Sequence, residues 1–268
     1  MSGDFSLLRP RTVNEAVRLL ADGAGVPYCG GTELLPVIRM GLLRPDALID
    51  LKRVRGLAGV ADAGEWVTVG AATTHREIAG SGLLRAHAGI LCTAAHALGN
   101  MRVRATGTVG GNVCFAEPRS DIAAALVALR ASAVLRSAHG ERTVRVDDFL
   151  ESAFTTTRRD DELLVEIRLP KDVPPAAYVR FQPAEYPTVS VAVVPPSHSR
   201  AGVLVVGAVG ERPQRFEVGS LDDVDAEGLS WAVDVVPDLN GAEDYKRHLT
   251  AVFVRRALAR VRGVADGG

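Results

Sequence analysis

Residues Pro27 to Leu51 read PYCGGTELLPVIRMGLLRPDALIDL. A short apolar run enters two adjacent glycines, and Thr32, Glu33 and a second apolar run follow. Consecutive glycines reach left-handed backbone conformations at little steric cost. They also let main-chain N–H groups line up into a concavity for an anion. The spacing predicts a helix from Glu33 to Met40, capped by Thr32 and closed by Gly41. Pro36 falls in its first turn, where a missing N–H is tolerated. A helix starting directly after the glycines adds the favourable end of its dipole. A tight turn with a capped helix accounts for the same residues, so this stretch alone leaves both a binding loop and a structural turn open.

A second glycine pair lies in ATGTVGGNVCFAEPRSD, residues 105–121. It adds a second turn of the same kind, with the Thr108 hydroxyl and the Asn112 amide beside it. Ser120 and Asp121 follow; they suit a ribose or hydroxylated chain, or the cap of the next helix. Two such loops fit a doubly charged diphosphate better than one phosphate, gripped from two sides. The pair therefore favours a binding function without identifying the ligand.

The 268 residues are 47% hydrophobic and carry a formal charge of −1, enough for one large domain or two modest ones. Acidic and basic residues are mixed, with no basic stripe for nucleic acid and no charged tail. No apolar run reaches the roughly 18 residues of a membrane helix, and the first residues lack a signal-peptide core. A soluble, cytoplasmic protein is expected. Cys29, Cys92 and Cys114 are far apart and form no C-x-x-C, which argues against a zinc or iron–sulfur site on this chain. They read as buried thiols in a reducing compartment.

Along the chain, TVNEAVRLLADGAG predicts a short helix capped by Thr12 or Asn14, and ALIDL and EWVTVGAA predict strands. LLRAHAGILCTAAHALGN predicts one buried helix ending at Gly99, and SDIAAALVALRA a helix capped by Ser120. SAVLRSAHGERTVRVDDFL is a hairpin turning at His139-Gly140. This is an α+β pattern without the regular strand–helix alternation of a doubly wound sheet. PKDVPPAAY reads as a linker. Three strand-like runs follow it, and then a helix with Tyr245, Leu249, Val252, Phe253 and Leu258 near one face. The chain divides into domains at 1–172 and 173–268.

There is no G-x-G-x-x-G, Walker loop, H-E-x-x-H or G-x-S-x-G, and no carboxylate pair stands apart from the surface charges. His75 in TTHREIA lines a site or is a capping, partly exposed histidine. Redox chemistry on this chain requires a bound cofactor.

CGGTELLPVIRMGLLRPDALIDLKRVRGL, VTVGAATTHREIA, VRATGTVGGNVCFAEPRSDIAAALVALRA and DELLVEIRLP resemble the FAD-binding medium subunit of molybdenum hydroxylases, the carbon monoxide dehydrogenase and xanthine dehydrogenase family. The resemblance runs from about residue 3 to the end and is strongest between residues 26 and 130. It implies a vanillyl-alcohol-oxidase (PCMH-type) FAD-binding domain of two α/β subdomains. A small C-terminal domain of a three-stranded antiparallel sheet plus helices would follow. It implies FAD on this chain, with diphosphate loops at Cys29, Gly30, Gly31, Thr32, Glu33 and Leu34 and at Gly107, Thr108, Gly110, Gly111 and Asn112. Cys114 and Asp121 would lie beside the adenosine half and Leu164 near the adenine. Two positions depart from relatives: Leu98 stands where an aromatic is common near the flavin ring, and Gln182 where Lys is common. Tyr186, in AEYPTVSVA, packs near the ring or is a structural tyrosine under its loop.

By the same resemblance, a large molybdopterin subunit oxidises the substrate and a small subunit carries two [2Fe–2S] clusters. The three subunits would form a dimer of heterotrimers, and a peripheral position at the inner membrane face stays open through the partners. FAD on this chain would relay electrons to a quinone, NAD or oxygen. That explains the missing acid–base constellation. The rival is a free-standing flavoenzyme, with Tyr186 or His75 as the base. A scaffold that has lost its flavin would show damaged glycine loops, and both loops are intact. The substrate stays open among carbon monoxide, a purine, a nicotine-like heterocycle, an aldehyde and an aromatic acid derivative.

Overall fold

The computed structural model describes residues 5–198 and 200–263. The first fifty residues build a small three-stranded parallel sheet with Ala47–Asp50 between Ser6–Leu8 and Val26–Tyr28. Helices Val13–Ala21 and Leu34–Arg39 connect its strands. Thr12 caps the first helix, accepting from the Glu15 N–H. The alternation of strand and helix is therefore present here in miniature. The sequence hides it because Ser6–Leu8 is only three residues long and offers no period to read.

The second sheet is antiparallel with strand order Val60–Ala63, Trp66–Gly70, Leu163–Pro170, Ser132–Ser137, Gly140–Arg145. The hairpin turns at Ala138 and His139, one residue before the expected place, since Ser137 pairs with Gly140. The expected single helix through Gly99 is two helices, Gly82–His87 and Gly89–Ala97. Ala88 departs from helical geometry at the join (φ −146°, ψ 44°), and Gly89 next to it is a poor helix former. The helix Asp121–Ala128 is buried along its whole length, as a helix apolar on every side must be. Ser120 caps it, accepting from the Ala123 N–H at 3.1 Å.

The third sheet has four strands, not the expected three: Ala177–Phe181, Val189–Val194, Gly202–Gly207 and Gln214–Val218. The run from Gly202 to Val218 folds back on itself, with Leu204 opposite Phe216. The two middle strands are buried along their whole length because both faces are covered. Val189, Val191, Val193, Leu204 and Val206 pack with Leu249, Phe253 and Val254 of the helix Glu243–Val261. Ala192, Val194, Val203 and Val205 alternate with them and join the core that contains the helix Asp121–Ala128. On the long helix Leu249, Phe253 and Leu258 are buried as expected, Val252 is half-buried, and Tyr245 stays exposed.

One ion pair ties the far edge of the second sheet to the start of its central strand. Arg142 donates through Nε and Nη2 to the two oxygens of Glu162, at 2.6 and 2.8 Å, and the Arg159 N–H donates at 2.8 Å. The Arg142 hydrogen bonds hold the carboxyl below its ordinary value. A lowered folded value means that the stabilisation is present above the unfolded carboxylate value and lost as pH falls through the folded one. Glu162→Gln is expected to cost about 2 kcal/mol at neutral pH. Urea unfolding across pH should show that deficit vanishing at acid pH.

Candidate functional site

The two glycine loops touch. A Cβ on Gly30 would lie 2.3 Å from the Thr106 carbonyl oxygen and 2.8 Å from Gly107 Cα. Gly31 holds φ +71°, which favours glycine, and its Cα faces the Tyr28 ring and Leu35. Thr32 Oγ1 lies 3.2 Å from the place of a Cβ on Gly107. The Cys29 and Thr108 side chains hydrogen-bond across the same junction, and burial raises the thiol's pKa.

The loops differ in what they offer. Among the described residues, the N–H groups of Gly30, Gly31, Thr32, Glu33 and Leu34 donate to no carbonyl or side chain. They form one run of five free donors before and into the helix Leu34–Arg39. Thr32 is not the cap expected of it; Glu33 occupies that position, without a side-chain hydrogen bond. The second glycine pair is not a turn. It lies in the first turn of the helix Val109–Phe115, capped by Thr108 Oγ1 on the Gly111 N–H at 3.2 Å. Glycine's poor helix propensity suggests a loop, and packing overrides it. The Gly110 N–H donates to the Ala71 carbonyl at 2.8 Å, and a Cβ there would meet the same oxygen at 2.7 Å. The N–H groups of Gly107, Val109 and Asn112 also have backbone acceptors. The second loop thus presents bare Cα surface. Gly111 is exposed, and a Cβ there would meet only Thr108 Oγ1, at 3.1 Å.

The other residues singled out by sequence fall into three groups. His75 is buried beneath the loop junction, and its N–H donates to the Gly107 carbonyl at 3.0 Å. It is neither the cap nor partly exposed; Thr74 caps that helix through a reciprocal box with Glu77. Burial pushes the imidazole down to about 4. Asn112 Oδ1 accepts from the Ser120 hydroxyl at 2.6 Å. Asp121 is 4% exposed and engaged by the Tyr178 hydroxyl and the Arg180 guanidinium. Leu164 is buried at an irregularity in the strand Leu163–Pro170. Cys114 is half-buried, and burial pushes its thiol up to about 11. Leu98 is half-buried against the main core.

The segment between strands Ala177–Phe181 and Val189–Val194 lies near Glu33 of the first loop, whose charge acts on Tyr186. Tyr186 stacks under Arg119, whose guanidinium carbon is 4.2 Å from the ring centre. Arg119 is held by Glu117 at 2.7 Å. Burial, then Glu33, Glu117 and Glu185, push the Tyr186 hydroxyl up to about 12. Burial also raises Glu33, which Glu117 and Glu185 reinforce. Gln182 donates to the Glu185 carbonyl at 2.6 Å, and its Oε1 is buried without a partner. Sequence reasoning missed Arg119 and Glu117, although the E-P-R spacing signals an i, i+2 ion pair at a loop. It also missed Arg180, whose partner lies 59 residues away.

The donor set fits a dinucleotide diphosphate: five adjacent unpaired N–H groups, bare Cα surface opposite, and two glycines no other residue could replace without moving a loop. The family described as the FAD binding domain in molybdopterin dehydrogenase matches residues 3–172.

The chain belongs to that family.

As a molybdopterin dehydrogenase FAD-binding chain, it has relatives of several specificities. It is 33% identical to the glyceraldehyde dehydrogenase medium chain of Sulfolobus acidocaldarius, over 62% of this chain and 60% of that one. It is 29% identical to the carbon monoxide dehydrogenase medium chain of Afipia carboxidovorans, over 98% of both. Its fold superposes with a TM-score of 0.91 on a solved carbon monoxide dehydrogenase of Hydrogenophaga pseudoflava that lacks the Mo-pyranopterin moiety, at 27% identity and 99% coverage of both chains. The chain is an oxidoreductase subunit with an FAD-binding domain. Among the described residues no helix is long and apolar enough to cross a membrane.

Proposed function

We propose that this chain is the electron-relay subunit of a molybdenum hydroxylase complex. It takes electrons from the [2Fe–2S] clusters of a small partner subunit and passes them to a quinone, NAD or oxygen. A large molybdopterin subunit supplies the electrons by oxidising the substrate, and three-subunit units pair into a dimer. Residues 1–172 form the PCMH-type FAD domain of two subdomains, and residues 173–268 the C-terminal domain. The observation that carries the reading is the contact between the glycine loops, with five free N–H groups along one of them. The electron transfer itself is the chemistry of FAD, which exchanges electrons singly or in pairs.

This chain's residues bind and orient. The N–H groups from Gly30 to Leu34 offset the diphosphate charge, Gly111 lets the backbone approach, and Tyr186 with Gln182 closes the site from the C-terminal domain. Neither of the two residues considered as a base is poised for the task. His75 has a pKa of about 4 and Tyr186 about 12, so one is too weak a base near neutral pH and the other stays protonated. That weighs against a free-standing oxidase that removes a substrate proton. Relatives named for glyceraldehyde and for carbon monoxide share this subunit, so its own site does not select the substrate.

The test compares two adjacent glycines in the chain co-expressed with its partners. Gly111→Val places a side chain in the open approach and is expected to weaken FAD at least tenfold, while costing the fold about 1 kcal/mol or less. Gly110→Ala meets the Ala71 backbone and is expected to cost about 2–3 kcal/mol in stability. Flavin absorbance and urea unfolding read the two effects. A colourless wild-type complex, or normal FAD affinity in Gly111→Val, overturns the reading.

A further inference from the structure

A cavity of about 500 Å³ opens where the helices Gly82–His87 and Gly89–Ala97 meet the segment 173–176 and the end of the helix Glu243–Val261. A second hollow of about 300 Å³ adjoins it, and Thr93, Tyr178 and Arg260 line both. The floor is apolar: Ile90, Cys92, Leu129 and Ala177 are buried there. The mouth is basic: Arg85, Arg256 and Arg260 are exposed along it. No aspartate or glutamate lines either hollow, and neither does any residue of the two glycine loops. The volume falls within the range of small-molecule sites, and an apolar floor with a few charged groups at its edge is their usual composition.

The positive charge at this mouth is not offset within the protein. On the long helix Arg247, Arg255 and Arg262 each meet a carboxylate, of Glu243, Glu227 and Asp222. Among the described residues the guanidinium groups of Arg256 and Arg260 meet none; Arg256 lies over the Phe253 ring at 4.9 Å instead. The two are four residues apart on one helix face, where like charges repel. Arg85 comes from a distant part of the chain and brings a third guanidinium without a carboxylate, donating to the Ala79 carbonyl at 3.4 Å. Arg180 beside them is already engaged by Asp121. Asp172, next to the segment 173–176, is taken by Arg200 at 3.0 Å. An anion at the mouth removes the repulsion, and an apolar body attached to it covers the floor.

We propose that this cleft is a second binding site, for a small organic anion: an apolar ring or chain that bears a carboxylate or phosphate group. The charged group sits at Arg260, with Arg85 on the side of the larger hollow and Arg256 on the side of the smaller. The apolar body rests on Ile90 and Leu129. Concavity and volume favour a small molecule over a segment of another protein chain. The site is separate from the glycine loops, so its occupancy and FAD binding are read independently.

Naphthalene probes test it by calorimetric titration of the full-length chain, alone and co-expressed with its partners. 1-Naphthoate and 1-naphthyl phosphate carry the two kinds of charged group. 1-Naphthol supplies the apolar body without charge at neutral pH, and inorganic phosphate the charge without the body. At least one of the naphthyl anions is expected to bind at a single site about tenfold tighter than either control, and the tighter of the two names the group the site prefers. Arg260→Gln is expected to weaken that anion about tenfold while 1-naphthol binding and flavin absorbance stay as in wild type. Arg255→Gln, on the same helix but paired with Glu227, is expected to leave the anion affinity unchanged. Equal binding of 1-naphthol and the anions, or wild-type anion affinity in Arg260→Gln, overturns the inference. Loss of flavin in Arg260→Gln overturns it too, by placing the cleft in the cofactor site. Anion binding by the isolated chain that disappears in the assembled complex also overturns it, by making the cleft a subunit interface.

Discussion

Gly30→Ala is expected to release FAD and to lower the melting temperature together. The new Cβ would sit 2.3 Å from the Thr106 carbonyl oxygen, 2.8 Å from Gly107 Cα and 2.9 Å from the Thr106 carbonyl carbon. All three are backbone atoms, so no side chain can swing away. The first loop must leave the second, and the five free N–H groups lose their place. Overpacking against backbone costs about 3 kcal/mol, which in a chain of this size is a fall of roughly 6–12 °C. Gly82→Ala is the control. It lies in a helix, a Cβ there meets nothing within 4 Å, and alanine favours helix. That variant is expected to match or exceed wild-type stability and to keep its flavin. Calorimetry and flavin fluorescence on both proteins check the pair. A Gly30→Ala protein with normal FAD content would show that loop contact does not hold the site together.

The second large effect is expected at Asp121. Its carboxylate accepts from the Tyr178 hydroxyl and the Arg180 guanidinium, and Arg180 also donates to the Ala97 carbonyl at 2.6 Å. Three elements meet there: the ends of the helices around Ala97 and Asp121, and the first strand of the third sheet. Asp121→Ala leaves a mostly buried guanidinium without its counter-charge and removes the partner of a buried hydroxyl. The cost is about 3 kcal/mol, toward the lower end for breaking a buried pair because Arg180 retains some solvent. Adding Arg180→Met is expected to recover part of the loss, a non-additivity that marks a direct pair. Resemblance put Asp121 beside the adenosine of FAD, and the two roles separate cleanly. An aspartate that holds the sheet in place destabilises the FAD-free protein when removed. An aspartate whose work is contacting FAD leaves the FAD-free protein unchanged. Denaturant unfolding of the flavin-free Asp121→Ala protein decides between them.

Local chemistry made much of this molecule legible. Thr12 and Ser120 cap their helices as their positions require, because a cap depends on residues within three places of one another. The strands Ala47–Asp50, Trp66–Gly70 and Ser132–Ser137 were legible as short apolar runs. The two glycine pairs marked places that need bare backbone, since a Cβ on Gly30 or Gly110 would meet backbone atoms of another segment. Two of the errors have a common cause. Thr32 looked like a cap and Gly110-Gly111 like a turn because propensity is local, whereas Ala71 and Thr106, which decide both loops, are distant in sequence. The break at Ala88 and the fourth strand of the third sheet are local features, marked by Gly89 and by the turn between Gly207 and Gln214.

By itself, the sequence determined that two bare stretches of backbone, a run of small capped helices and no acid–base pair must coexist in one chain, because residue types and short spacings are enough to require them. Only the tertiary structure decided that the first loop keeps its N–H groups free while the second spends its own on Ala71, Val103, Thr73 and Thr108. It also decided that His75 is buried, which lowers its pKa, and that Asp121 pairs with Arg180. A hydrogen-bond donor is free or committed, and a charge is solvated or paired, according to what the rest of the chain brings within about 3 Å of it. Residues far apart in sequence set those distances.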